Sequence, residues 1–281
     1  MAATKANPII FYDILSKQGP WSPNTFKTRC VNWAICALVL ISSILNRLTL
    51  NYKRLPYRVE YISLPDIESK LKELGVPPST HNPLFKYTLP MIADPSSEPG
   101  GKPTYVTESF NIALYLDDKY PEPDYPVVFP HGTRALQSIA VDQITPKVAF
   151  AFAPVLLPLA SVRTDLLDER GMEYFVRTRS AVFGTELSKL LDDAPENWKA
   201  AEAAWNSRVN AMYEMNQGGP FVMGHRISFV DFVIGGIIYM VQKLEGGDMT
   251  YWKKMSEWHG GRWAALWEEI AKLEADSSEV V

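Results

Sequence analysis

Apolar positions along this chain come in two styles. Up to about residue 120 they form short runs broken by turn residues, and beyond residue 132 they recur at helical spacing. Residues 8–14, PIIFYDI, run into the turn-prone SKQGP and predict a first strand. Trp21-Ser22-Pro23-Asn24-Thr25 predicts a helix start, with Ser22 as N-cap and Pro23 at the first helical position. Residues 58–64, RVEYISL, alternate as a second strand, and Asp66 to Leu74 has helical spacing that stops at Gly75. Met91-Ile92-Ala93 and Thr104-Tyr105-Val106 read as strands flanking DPSSEPGGK, whose Gly100-Gly101 suits a hairpin. SFNIALYLDDKY reads as a helix ended by Pro121.

The pattern then changes. PEPDYPVVFPHG, residues 121–132, holds four prolines in twelve residues and reads as an interdomain linker. Beyond it helical spacing covers about 133–160, 170–192, 197–217, 229–244 and 261–274, without a strand. A small α/β domain over 1–120 followed by an all-helical domain over 133–281 is the architecture this predicts.

Composition narrows the function classes. Hydrophobic residues make up 47% and charged residues 21%, with eight Trp for a core, so the chain folds as an ordinary globular protein. A net charge of −4 lacks the basic excess that a nucleic-acid face needs. Two cysteines, Cys30 and Cys36, exclude a disulfide framework and point to a reducing compartment. The opening MAATKANPII lacks the apolar stretch of a secretory signal, and the expectation is a chain starting near Met1. Cys30 to Leu45 is the odd stretch: thirteen of its sixteen residues are apolar. A spanning helix wants about 20, so a buried helix competes with a membrane segment there.

Three short motifs carry candidate chemistry. Tyr87-Thr88-Leu89-Pro90-Met91-Ile92 puts a proline at the mouth of a strand, where it cannot donate to a ladder. In a cis peptide it would turn the backbone of Leu89 outward toward an extended ligand. Glu108-Ser109 stands at a strand-to-helix junction; Ser109 reads as N-cap, with first-turn amides for a carboxylate and Glu108 for an ammonium. Ser228-Phe229-Val230-Asp231 is a capping box before FVIGGIIYMV, which is apolar all round and predicts the core helix of the helical domain.

In this order and spacing the three motifs resemble the glutathione transferase family over nearly the whole chain. The resemblance implies an α+β protein: a thioredoxin-like N-terminal domain, then the all-helical C-terminal glutathione-transferase domain. YTLPMI looks like the cis-proline loop, ESFNIALYLDDKYP like the γ-glutamyl-binding segment, and SFVD like the capping box of the core helix. WSPNTFKTR and LTLNYKRLPY look most like the fungal etherase-type branch, relatives of bacterial enzymes that cleave lignin β-aryl ethers. That resemblance implies Ser22 as the catalytic residue polarising the glutathione thiol, with Asn24 and Thr25 as second donors. Leu89, Pro90, Glu108 and Ser109 would hold glutathione, and Lys86 would meet its glycine carboxylate. Tyr12 fits a core tyrosine, and no cysteine stands at the helix start, against the thiol-transferring classes.

The implied activity is conjugation or ether cleavage of hydrophobic aromatic substrates, with glutathione as co-substrate and no metal. The implied protein is a cytoplasmic homodimer. By position, the second substrate would sit near Phe150, Phe152 and Pro154. A non-catalytic binder of aromatic metabolites in the same cleft is the alternative.

One feature departs from the family. Its members run from TFKTR directly into LTLNYK, whereas here CVNWAICALVLISSILNR, residues 30–47, intervene. With an Arg29 codon ending in G, the T that opens a Cys30 codon completes a GT donor, and an AGA or AGG codon at Arg47 supplies the AG acceptor, so a retained intron fits the boundaries. Removing it deletes eighteen codons in frame and rejoins an arginine codon. A genuine insertion is the other reading. As a helix the segment would carry Leu48, Leu50 and Tyr52 about 27 Å beyond the sheet. Either it loops out, or the second half of the first helix leaves the core.

Overall fold

The computed structural model describes residues 3–17, 42–79, 85–95, 98, 100–192, 194–216, 218–245 and 249–280. A four-stranded sheet in the order β2-β1-β3-β4 organises the first domain. β1 (Ile9–Ile14) and β2 (Tyr57–Ile62) pair in parallel, joined through α1 (Ser42–Tyr52). β3 (Met91–Asp94) runs antiparallel to β1, and β4 (Thr104–Thr107) antiparallel to β3. α2 (Ile67–Glu73) follows β2, its end marked by Gly75 at a φ of 72°. α3 (Ser109–Lys119) follows β4. This is the thioredoxin-like arrangement.

Period-two alternation divides the sheet between two cores. Ile9 and Phe11 pack with Tyr57 and Ile92, against Leu50 of α1 and Ile112 and Leu116 of α3. Tyr12 and Ile14 face the other way with Met91 and Ala93, and join Ile67 and Leu71 of α2. That second core runs on into the helical domain.

The helical domain comprises α4 (Arg134–Ile144), α5 (Phe150–Ser161), α6 (Glu169–Phe183), α7 (Ala194–Trp205), α8 (Ala211–Glu214), α9 (Phe229–Glu245) and α10 (Thr250–Ala275). α9 is buried along most of its length, as its all-round apolar sequence predicts. At its start the Asp231 carboxylate accepts from Ser228 N and Oγ, both at 2.8 Å, and from Val222 N and Tyr213 Oη at 2.7 Å. Burial pushes the Asp231 pKa up although these four donors pull it down. The capping box therefore also fastens α8 and the loop before α9. Among the described residues one helical stretch, α4 through α5 at 134–161, is long and apolar enough to cross a membrane, with most of its apolar window buried in the domain. Most of the Cys30–Leu45 run, residues 30–41, lies outside the described residues.

Helix ends differ from the spacing in instructive places. The helix predicted from 170 to 192 stops at Phe183, because Gly184 takes the left-handed conformation at a φ of 65°. α10 begins at Thr250 rather than 261, because the Glu245 carboxylate accepts from the first-turn amides of Tyr251 and Trp252 at 2.5 and 3.0 Å. It then breaks from Trp258 to Gly261, where His259, Gly260 and Gly261 all have positive φ.

α1 locks the domains together. Lys53 just beyond it donates to Asp117 Oδ1 of α3 at 2.9 Å and to Pro126 O at 2.8 Å. Asp117 also accepts from Val128 N and Phe129 N, so the proline-rich segment 121–132 is packed in place rather than a loose tether. Arg47 is buried between Glu274, at 3.5 Å, and Glu279, at 3.3 Å. Asn51 accepts from Ser278 N, and Val280 N donates to Tyr57 O at 2.7 Å, so the C-terminal tail lines the β2 edge. Residues 42–47 thus begin a helix continuous with Leu48–Tyr52, and Leu48 and Leu50 are fully buried. The second half of the helix has not left the core.

Candidate functional site

β-sheet register brings the first two motifs together. Met91 pairs with Thr107, so one step further along the two chains Pro90 lies beside Glu108. The Leu89–Pro90 peptide is cis, and both residues are buried. Glu108 sits at the junction with a φ of 68°, and α3 starts at Ser109. Ser109 is therefore the first helical residue and Glu108 the N-cap, one position from the expectation. The reason is the positive φ of Glu108, which turns the chain out of β4 a residue early.

Packing holds this edge rigidly. Phe110, next to Ser109, meets Phe129 of segment 121–132 and Phe229 of α9 edge-on, with centroids 5.0 and 5.5 Å apart. Segment 121–132 and α9 thus anchor the first turn of α3. Ser79 Oγ donates to Glu108 Oε1 at 3.0 Å, and Ser79 N donates to Lys86 O at 2.7 Å. Ser79 was not a candidate: a lone serine after two prolines carries no spacing signal. The Lys86 side chain is exposed.

Tyr12 is 3% exposed within the sheet core, and burial, then Glu60, pushes its phenol up to about 12. It is the core tyrosine expected. Ser22, Asn24 and Thr25 lie outside the described residues. The chain leading toward them is held on the helical domain: Lys17 N donates to Leu166 O at 3.1 Å, and Ser16 bridges to Leu167. Next to that bridge, Asp168 caps α6 and accepts from Ser63 Oγ at 2.9 Å, while Arg170 clamps Asp66 at 2.8 and 2.9 Å. A side chain at Gly171 would strike Asp168 Oδ1 at 2.6 Å, which explains the glycine there.

Phe152 is a correction. It is fully buried in the helical core against Trp198 and Trp205, because it follows α5's inward face, and it cannot wall a substrate cleft. Phe150 stacks on Phe183 at 6.4 Å, and Pro154 is half-buried. Among the described residues, no group of three or more His, Cys, Asp or Glu is placed to hold a metal ion.

Comparison with known proteins matches this architecture domain by domain. The family model of the glutathione S-transferase N-terminal domain matches residues 46–119, and that of the C-terminal domain matches 135–273. A glutathione S-transferase-like protein of Aspergillus flavus, ustS, is 31% identical over 99% of this chain and 96% of its own. The chain belongs to the glutathione S-transferase family. Among solved glutathione S-transferases, one from Ceriporiopsis subvermispora in complex with glutathione is 31% identical with a TM-score of 0.78, covering 95% of this chain and 98% of that one. Glutathione transferase GSTFuA3 from Phanerochaete chrysosporium is 30% identical with a TM-score of 0.77, covering 95% and 97%. Like this family member, both span the two domains together.

Proposed function

We propose that this glutathione S-transferase binds glutathione along the Pro90–Glu108 edge and polarises its thiol with Ser22. The observation that carries the reading is the register that sets Pro90 beside Glu108, with the first turn of α3 opening there. The γ-glutamyl carboxylate meets the amides and hydroxyl at Ser109, its ammonium meets Glu108, and the glutathione backbone lies along Leu89. Lys86, exposed at the mouth of the same loop, takes the glycine carboxylate; Asn24 and Thr25 back up Ser22.

A free thiol has a pKa of about 8.5, and lowering it by about two units takes roughly 2.7 kcal/mol. A hydrogen bond to a charged group, about 1.5–3 kcal/mol, and a helix N-terminus, about 0.3–1 kcal/mol, supply that. Serine is here a polariser and not a nucleophile. The thiolate then attacks an electrophilic carbon of a hydrophobic aromatic substrate. The C–S bond forms as the leaving group departs with its electron pair; in β-aryl ether cleavage that group is the phenolate released when the C–O bond breaks. Leu136 and Ile139, 67% and 60% exposed one turn apart on α4, support a homodimer.

Ser22→Ala should lower turnover more than glutathione affinity and raise the apparent thiol pKa toward the free value. A wild-type pH–rate profile would move the role to Asn24 or Thr25. Ser109→Ala should weaken glutathione binding by about 1–2 kcal/mol, read by calorimetry, and unchanged affinity would reject the binding edge.

The segment Cys30–Arg47 belongs to the same reading. Its removal would bring Arg29 to the place of Arg47, preserving an arginine between Glu274 and Glu279. The shorter chain should therefore give higher soluble yield, melting temperature and conjugating activity than the longer one; equal values would mark the segment as a genuine insertion.

A further inference from the structure

α6 lies across the first domain and touches it near both ends. At its start Asp168 accepts from Ser63 Oγ at 2.9 Å, and Arg170 clamps Asp66 just ahead of α2. Toward its other end Arg179 reaches Phe85, with the guanidinium carbon 5.1 Å from the ring centroid. Phe175, one turn earlier on α6, meets the same guanidinium from the helix side at 5.2 Å. Phe85 opens the stretch that runs into the cis Leu89–Pro90 peptide.

Arg179 is unfavourable for stability where it stands. It is 1% exposed, its Nε has no hydrogen-bond partner, and among the described residues no carboxylate pairs with it. Burial lowers its pKa only to about 10, so the charge is present at neutral pH. A methionine would fill the space without desolvating a charge. Local rules of this kind are broken mainly where function requires it. What the cation adds is attraction to the face of a ring, which is strongest where water is excluded.

From Phe85 the contacts lead on to the glutathione edge. The next residue, Lys86, accepts from Ser79 N through its carbonyl at 2.7 Å, and Ser79 Oγ donates to Glu108 Oε1 at 3.0 Å. Glu108 needs such support, because a non-glycine residue at a φ of 68° persists only where its surroundings fix it. Lys72 also stands over this stretch, 5.4 Å from the Tyr87 ring, but it is exposed and paired with Glu68, so its hold is weak.

We propose that Arg179 is a positioning residue for glutathione: its cation over Phe85 fixes the Ser79–Lys86 pairing and, through it, the Glu108 carboxylate that takes the γ-glutamyl ammonium. The inference rests on the binding edge proposed above. It gives α6, a helix of the second domain, the task of setting affinity for a ligand held by the first.

The test follows glutathione binding to the full-length protein by calorimetry, and conjugation of 1-chloro-2,4-dinitrobenzene by steady-state kinetics. Arg179→Met should melt no lower than wild type yet bind glutathione about tenfold more weakly, as expected when a desolvated cation–π contact is lost. The loss should fall on KM for glutathione rather than on kcat, because Arg179 touches no reacting atom. Phe85→Leu should weaken binding equally, and Phe85→Tyr, which keeps a ring, should bind like wild type. The double change Arg179→Met with Phe85→Leu should be no worse than either alone, since both remove one contact. Wild-type affinity in Arg179→Met, additive losses in the double variant, or a loss confined to kcat would each overturn the proposal. Should Arg179→Met fail to fold, Phe85 decides: equal affinity in Phe85→Leu and Phe85→Tyr rejects the proposal, and a loss in Phe85→Leu alone supports it. Glu108→Gln separates the two readings. Wild-type affinity there rejects the binding edge and this role with it, whereas a loss there with none in Arg179→Met rejects only the role of Arg179.

Discussion

Lys53 at the end of α1 and Arg179 on α6 are both buried cations, yet their surroundings treat the charge in opposite ways. Lys53 meets Asp117 at 2.9 Å, and that carboxylate is itself satisfied by Val128 N and Phe129 N. Arg179 has no carboxylate partner among the described residues. It lies between the rings of Phe85 and Phe175, at 5.1 and 5.2 Å, and within the described residues it donates to Thr178 Oγ1 alone, with Nε unpartnered there. Burial draws the Lys53 pKa down, with Asp117 opposing, and burial draws Arg179 down to about 10 with nothing comparable to oppose it. A paired buried charge fastens segments together; an unpaired one is tolerated through its rings and methylene stem. Among the described residues, the ion pairs whose cation is buried lie at the α1 seam, where α1, α3 with the segment after it, and the C-terminal tail meet.

The sharpest way to break the contrast is Lys53→Met. It leaves Asp117 buried without its cation and should cost about 3–5 kcal/mol in urea unfolding. Ending the chain after Asp276 comes next. It removes Ser278 from Leu55 O and Asn51, Glu279 from Arg47, and Val280 from the β2 edge, for an expected loss of about 2–3 kcal/mol. Arg179→Met should run the other way, from no change to a gain of about 1–2 kcal/mol, because the change removes an unpaired buried charge without orphaning a partner. The sign agrees with its titration. With the folded pKa below the unfolded one, the cost of burying the charge is full at neutral pH and lifts only above about 10. A loss as large as that of Lys53→Met would erase the distinction.

The smallest effect is expected at His259, whose Nδ1 accepts from Trp263 Nε1 at 2.9 Å. Burial, then Arg262, lowers its pKa below 6.5. Its contribution to stability is therefore full above the unfolded pKa and declines as pH falls below it. His259→Asn, which also tolerates the left-handed backbone, should flatten the fall in melting temperature between pH 7.5 and 5.5.

Much of the site's framework could be read before any coordinates. PIIFYDI, RVEYISL and the MIA and TYV pieces are strands because each is a short alternating or apolar run between turn residues. The proline before Met91 and the acid–serine pair before Phe110 carry signals of their own. Sequence could not align them: Pro90 and Glu108 become neighbours through the Met91–Thr107 register, which belongs to the sheet and to neither motif. The one-residue shift at Ser109 was equally hidden, because a positive φ at a non-glycine has no sequence signature. Phe150, Phe152 and Pro154 looked alike as apolar residues of one stretch, and only α5's orientation sent Phe152 into the core.

What the sequence determined alone is the set of local elements and the division into a mixed α/β part and a helical part. Hydrophobic period, caps and proline breaks act within a few residues and need no tertiary context. What only the tertiary structure decided is which charges became fasteners. Lys53, Arg47 and Asn51 read along α1 as ordinary solvated polar residues in a helix. They are buried because the Asp117 carboxylate, the amides of Val128 and Phe129, and the tail from Glu274 to Val280 converge there. Desolvating a charge is favourable only where its partners are already in position, and long-range packing puts them there.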